Sequence, residues 1–203
     1  RDVAPSRGLG DVYKRQFEDI WPSGGDYDMN DVIVEYERKV YFDKKNIVTK
    51  IVDEFTPVHD GATYVNAFAY QIDAAQIGDK ITLPEGAILE KETSSIIVMS
   101  NAKQNIGNKY VVTREFNGSF LKNQLLSYNP YIIVKYSQGE QNRTEVHLPK
   151  HKATAYANQS LIGSNDDAYY IDRKGAYPFA IDIPMLGSVS YTHLRAHETE
   201  LHL

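Results

Sequence analysis

The chain of 203 residues contains no cysteine, which excludes disulfides, thiolate metal sites and thiol nucleophiles. The compartment stays open, because a domain of this length can build its core without covalent staples. No run of 18 apolar residues occurs, so no transmembrane helix is expected. Lys and Arg never cluster densely enough to track phosphates, and the net charge of -5 argues against nucleic acid and other anionic partners. A phosphate-binding Gly loop, a dinucleotide fingerprint and a nucleophile-elbow Ser motif are all missing. Helical periodicity is scarce as well. Its best candidate, Asp73-Ala74-Ala75-Gln76-Ile77, is about one turn long before Gly78.

What the chain does contain is a period of two. From Val32 to Phe42, Val32, Val34, Tyr36, Val40 and Phe42 share one face while Glu35, Glu37 and Lys39 share the other, with Arg38 as the interruption. Asp43-Lys44-Lys45-Asn46 reads as the turn into a second strand from Ile47 to Phe55, making an antiparallel hairpin. Further strands are expected over 64–72, 80–83, 95–99, 109–113, 131–136, 144–148 and 179–183. Fifteen tyrosines and many β-branched residues suit pleated surfaces better than helices. The expected fold is all-β, an antiparallel β-sandwich (jelly-roll-like) with little helix.

The two ends resemble translated sequencing-adaptor segments, at Asp11-Val12-Tyr13-Lys14-Arg15-Gln16 and at Ser190-Tyr191-Thr192-His193-Leu194-Arg195-Ala196-His197-Glu198-Thr199. Residues 1–16 and 189–203 are therefore set aside as tails, and residues 17–188 are read as one domain without linker or repeat. The run from His197 to His202 is not a zinc-protease helix, since its histidines stand five apart rather than four.

The densest chemistry lies in Phe17-Glu18-Asp19-Ile20-Trp21-Pro22-Ser23-Gly24-Gly25-Asp26-Tyr27-Asp28-Met29-Asn30-Asp31. Asp26, Asp28 and Asn30 recur every second residue with Asp31 adjacent, and such oxygens can converge on a hard cation. Calcium suits the loop best because it accepts several oxygen ligands in loose geometry. Magnesium demands a tighter octahedron, and zinc would want His or Cys, which the loop lacks. The spacing imitates an EF-hand, with Glu37 at the twelfth position. The imitation fails, because Asp31 replaces the required Gly and an extended strand at about 3.3 Å per residue carries Glu37 roughly 20 Å away. The expectation is that Glu18 or Asp19, returned by the Pro22–Gly25 bend, completes the site. The competing reading is a solvated acidic turn whose Asp and Asn side chains cap their own backbone.

Elsewhere each pattern has a functional and a plain reading. Trp21, the only Trp, is either a sugar-stacking platform or a core anchor at a strand end. Asn165-Asp166-Asp167 is a second ion site or a loop, and Asn117, Asn142 and Asn158 open glycosylation sequons. His59 beside Asp60 could be a base with its orienter or a polar turn, and His147 and His151 carry no accompanying nucleophile motif. No enzyme is expected.

Phe17 to Val34 resembles the opening of the LruC-domain family, which has Phe-Glu-Asp-Leu-Trp-Pro followed by Gly-Asp-Tyr-Asp-x-Asn-Asp and a Val/Ile-rich strand; Ile20 replaces the Leu. The likeness continues through Gly61–Phe68, Glu145–Pro149, Ser160–Gly163 with Asp166 and Asp167, and Tyr177–Ile181, where Phe179 replaces a usual Trp. This resemblance implies a bacterial cell-surface or secreted domain, especially of Bacteroidota, whose last strand is truncated beyond Ile183. The expected function is a non-catalytic extracellular or cell-envelope module serving adhesion or envelope assembly. Its expected metal site is calcium held by Glu18, Asp19, Asp26, Asp28, Asn30 and Asp31. The alternative is a carbohydrate-binding module using exposed aromatics. In either case the partner is a surface protein or glycan.

Overall fold

The computed structural model describes residues 6–7, 11–118, 120–163, 170–172, 174 and 177–185. The expected acidic turn at 165–167 and the tail at 189–203 lie outside them. Among the described residues twelve strands form: β1 (Ser6–Arg7), β2 (Asp11–Phe17), β3 (Val32–Phe42), β4 (Val48–His59), β5 (Ala67–Gln71), β6 (Lys80–Thr82), β7 (Ile88–Glu90), β8 (Ser95–Met99), β9 (Tyr110–Glu115), β10 (Asn129–Val134), β11 (Thr144–His147) and β12 (Ala180–Pro184). Helix is confined, among the described residues, to three short 3₁₀ turns. One is Ala74–Gln76, where the Asp73 carboxylate accepts from the Ala75 N–H.

The strands make two antiparallel sheets, ordered β12-β2-β3-β4-β9-β6 and β11-β10-β5-β8-β7, with β1 paired to the far end of β3. Their inner faces meet in one core, where Phe17, Val34, Tyr36 and Phe55 from the first sheet pack on Phe68, Tyr70, Val98 and Ile132 from the second. This is a β-sandwich. Residues 11–16, set aside as a tail, are instead integral to the described fold. Strand β2 lies between β3 and β12, and Arg15 bonds Asp182 at 3.1 Å. A strand with hydrogen-bonding neighbours on both sides fills a gap that would otherwise leave two open edges.

In the first sheet, β3 alternates buried and half-buried positions from Val32 to Tyr36 as its sequence indicates, and is half-buried throughout from Glu37 to Phe42. Its interruption, Arg38, has a partner directly across the ladder in Asp53. That carboxylate is wholly buried between Arg38 (2.6 Å) and Arg114 (3.2 Å), with the Tyr36 hydroxyl donating at 3.3 Å. Burial alone would raise the Asp53 pKa, but the two guanidinium groups overcome it and hold the group below its ordinary range. The solvent face carries unlike charges in register, with Lys14 on Glu35, Lys39 on Glu37 and Glu54, and Lys109 on Glu54.

The second sheet is buried on both faces. Ala67, Ala69, Ile97, Tyr131 and Ile133 form a separate cluster on its outer side. Beside them Arg143 makes a bidentate pair with Glu90 (2.6 and 2.8 Å) and reaches Glu145 at 2.8 Å.

Candidate metal centre

The acidic residues gather where β2 leaves the first sheet and β3 enters it. After Phe17 the chain is held by the Glu18 N–H donating to the Phe179 carbonyl, and Trp21 buries its ring against Tyr170 at 4.8 Å. With only 4 % of its surface exposed, Trp21 is a core anchor and offers no face to a sugar. From there the loop turns back, and Tyr27 and Met29 take positive φ values of 54° and 56°. A non-glycine residue enters that region only under local constraint. The two reversals separate Asp26, Asp28 and Asn30, and the buried Met29 pins the loop by donating its N–H to Glu18 Oε1 at 2.5 Å.

Glu18, Asp26 and Asp28 consequently converge, with one oxygen of each lying within 4.8 Å of the others. Glu18 is 1 % exposed, and its second oxygen, Oε2, has no hydrogen-bond partner. Burial, reinforced by the charges of Asp31, Asp26 and Asp28, pushes its pKa up to about 7 despite the Met29 bond. Asp26 and Asp28 are exposed. The result is a pocket of hard oxygens, sealed at the bottom and open to water at the top.

The other expected ligands are spent differently. Asn30 donates its amide to Asp28, while its backbone carbonyl accepts from the Gly61 N–H at 3.0 Å. Asp31 caps the Asp19 N–H at 2.8 Å, and burial raises its pKa to about 6. Asp19 is turned toward the second sheet, where its Oδ2 accepts from Asn66 Nδ2 at 2.8 Å. Of the six expected ligands, Glu18, Asp26 and Asp28 converge, while Asn30 and Asp31 fix the loop and Asp19 faces inward. Asp31 thus caps backbone, as the turn reading expects, while one oxygen each of Glu18, Asp26 and Asp28 converge.

Two further residues border this corner. Asp60, just after β4, and Asn66, just before β5, are both buried. Neither is signalled by the spacing of residues 18–31, because only the sheet topology brings them there. Gly61 between them is required by close approach, as a Cβ would meet Asn30 Oδ1 at 2.5 Å.

His59 is exposed at the end of β4 while Asp60 turns inward. His147 touches Glu145 at 2.9 Å and Asn129 at 2.8 Å but is wholly buried, stacked on Tyr131 at 4.4 Å. Burial and Glu145 pull its pKa in opposite directions, burial the more strongly, so it lies below the ordinary value. A sizeable cleft lies elsewhere. It measures about 760 Å³ and is lined by Tyr13, Arg15, Tyr36, Arg38, Tyr128 and Asp182, among others. Arg38 stacks 4.0 Å from the Tyr128 ring centre and Arg15 4.3 Å from that of Tyr36.

No helix among the described residues is long and apolar enough to cross a membrane. Neither a curated protein nor a solved structure matched the chain. One family did match, described as a domain of unknown function (DUF4842), over residues 46–194. The acidic loop lies before that span, whereas Asp60 and Asn66 lie within it. Since the match covers well over half of the sequence, the chain belongs to the DUF4842 family.

Proposed function

We propose that this chain is a non-catalytic β-sandwich module of the bacterial cell surface or extracellular space. Calcium bound at the Asp26–Asp31 loop stabilises it, and it serves adhesion or envelope assembly. The observation that carries the metal reading is Glu18: a buried carboxylate with a partnerless oxygen, facing two further carboxylates. Such a group is costly as an uncompensated anion and favourable as a ligand. Calcium fits better than magnesium or zinc, because the donors are all oxygen and the exposed top leaves room for water or a partner's oxygen. The surface assignment and the adhesive role rest on the resemblance of Phe17 to Val34 to LruC domains.

The test is thermal melting in millimolar calcium and in chelator. Calcium should raise the melting temperature, and Asp26→Ala with Asp28→Ala should abolish the rise while leaving the chelated protein folded. An unchanged melt in all four conditions would sink the ion site.

A second reading, carbohydrate binding, is favoured by the cleft with Tyr13, Tyr36 and Tyr128 on its walls, whose volume suits a small ligand. Glycan-array binding lost in Tyr128→Ala would support it. Array silence of the calcium-loaded protein would count against it.

A further inference from the structure

The inner side of the acidic corner holds a second set of unsatisfied oxygens. Asp60 is only 7 % exposed, and neither of its carboxylate oxygens has a hydrogen-bond partner. Asn66 is 0 % exposed, and after Nδ2 donates to Asp19 its Oδ1 is also left without a partner. The charges of Asp19 and Asp60 act on each other. Three buried partnerless oxygens on two residues that border this corner demand compensation, because each would otherwise forfeit its hydration for nothing.

Lys103, whose charge reaches Asp60, does not supply it. Lys103 donates its ammonium to the Ala62 carbonyl at 2.6 Å, and although its charge draws the Asp60 pKa down, the two form no ion pair. The Ala62 N–H also lies near enough to lower that pKa, but outside hydrogen-bond geometry. Water could satisfy the Asn66 oxygen, yet it would leave the repulsion between Asp19 and Asp60 in place. A divalent cation answers both needs.

We propose that Asp19, Asp60 and Asn66 form a second, inner site for a hard divalent cation of the calcium class, separate from the outer trio of Glu18, Asp26 and Asp28. Asp31 interacts electrostatically with a member of each set, Asp19 and Asp28. The donors are two carboxylates and an amide oxygen, a set that selects calcium over softer metals. The inner site draws on different side chains from the outer one, so each can fail alone.

Calcium titration of the full chain, followed by calorimetry and by native mass spectrometry, distinguishes them. The wild type should bind two ions. The near-isosteric Asp60→Asn should lose one and keep the ion that Asp26→Ala with Asp28→Ala removes. A single ion, lost in Asp60→Asn and retained in the outer double variant, would sustain the inner site while overturning the outer. Undiminished binding in folded Asp60→Asn would overturn the inner site and leave water as the compensating group. Should Asp60→Asn fail to fold, the wild type decides with the outer variant: one ion that the outer substitutions abolish overturns the proposal, and two ions sustain it.

Discussion

Glu18 is the residue on which the corner turns. With its pKa raised from 4.5 to about 7, and that of Asp31 raised from 3.8 to about 6, the folded protein holds protons that the unfolded chain has already released. In metal-free protein the stability these groups contribute is therefore full at low pH. It falls as the pH rises through the window from about 4 to about 7. Calcium should flatten that decline by replacing the proton, which denaturant titrations across the window with and without the ion would reveal. Glu18→Gln should raise the stability of chelated protein above neutral pH and weaken calcium binding about tenfold or more, each unit of pKa shift corresponding to ~1.4 kcal/mol. A variant that lost stability in chelator would show that the carboxylate is instead needed for the fold. The convergence of Glu18 with Asp26 and Asp28 was legible because it is local, a return of the chain within ten residues. The diversion of Asp19 was not, because its partner Asn66 is placed by the second sheet.

At the scale of the element, the two sheets differ in how plainly they are written. Strands β3 and β4 alternate because one face meets water, and the period of two locates them to within a few residues. Strand β8 is buried at all five positions, so after Ser95 its residues are an unbroken apolar run recognisable only by length and flanking turns. Strand β7 has three residues, too few to show any period. Strand β2 resembles adaptor sequence over Asp11 to Gln16, although its Tyr13, Arg15 and Phe17 do alternate with more exposed neighbours. Deleting residues 1–16 should therefore lower the melting temperature by about 10 °C or more, as ~1 kcal/mol moves a domain of this size by about 2–4 °C. An unaltered calorimetric transition would mean that β2 contributes nothing to stability. Arg38, which reads as a flaw in β3, is the clearest case of a partner supplied by a neighbouring strand. Asp53→Ala would strand two guanidinium charges in the core and cost about 3–5 kcal/mol in chemical denaturation, more than any exposed pair on the opposite face.

For the molecule as a whole, the acidic corner joins parts far apart in the chain. Glu18 and Asp19 follow β2, Asp31 precedes β3, Asp60 follows β4, and Asn66 leads into the second sheet. A cation there would tie both layers at once, so calcium should shift a single cooperative unfolding transition upward rather than split it. A calcium-dependent step separate from the main calorimetric peak would show that the corner melts alone. The margins of the two layers have a different bearing. Among the described residues they are β6 and β7 with three residues each, β11 with four, and β12 with five, closing on Pro184. Runs this short, one of them carrying a residue that cannot donate, give a neighbouring copy little backbone to add on to. Copies crowded together would thus stay discrete instead of zipping into fibres, and any lateral contact would have to be made by side chains.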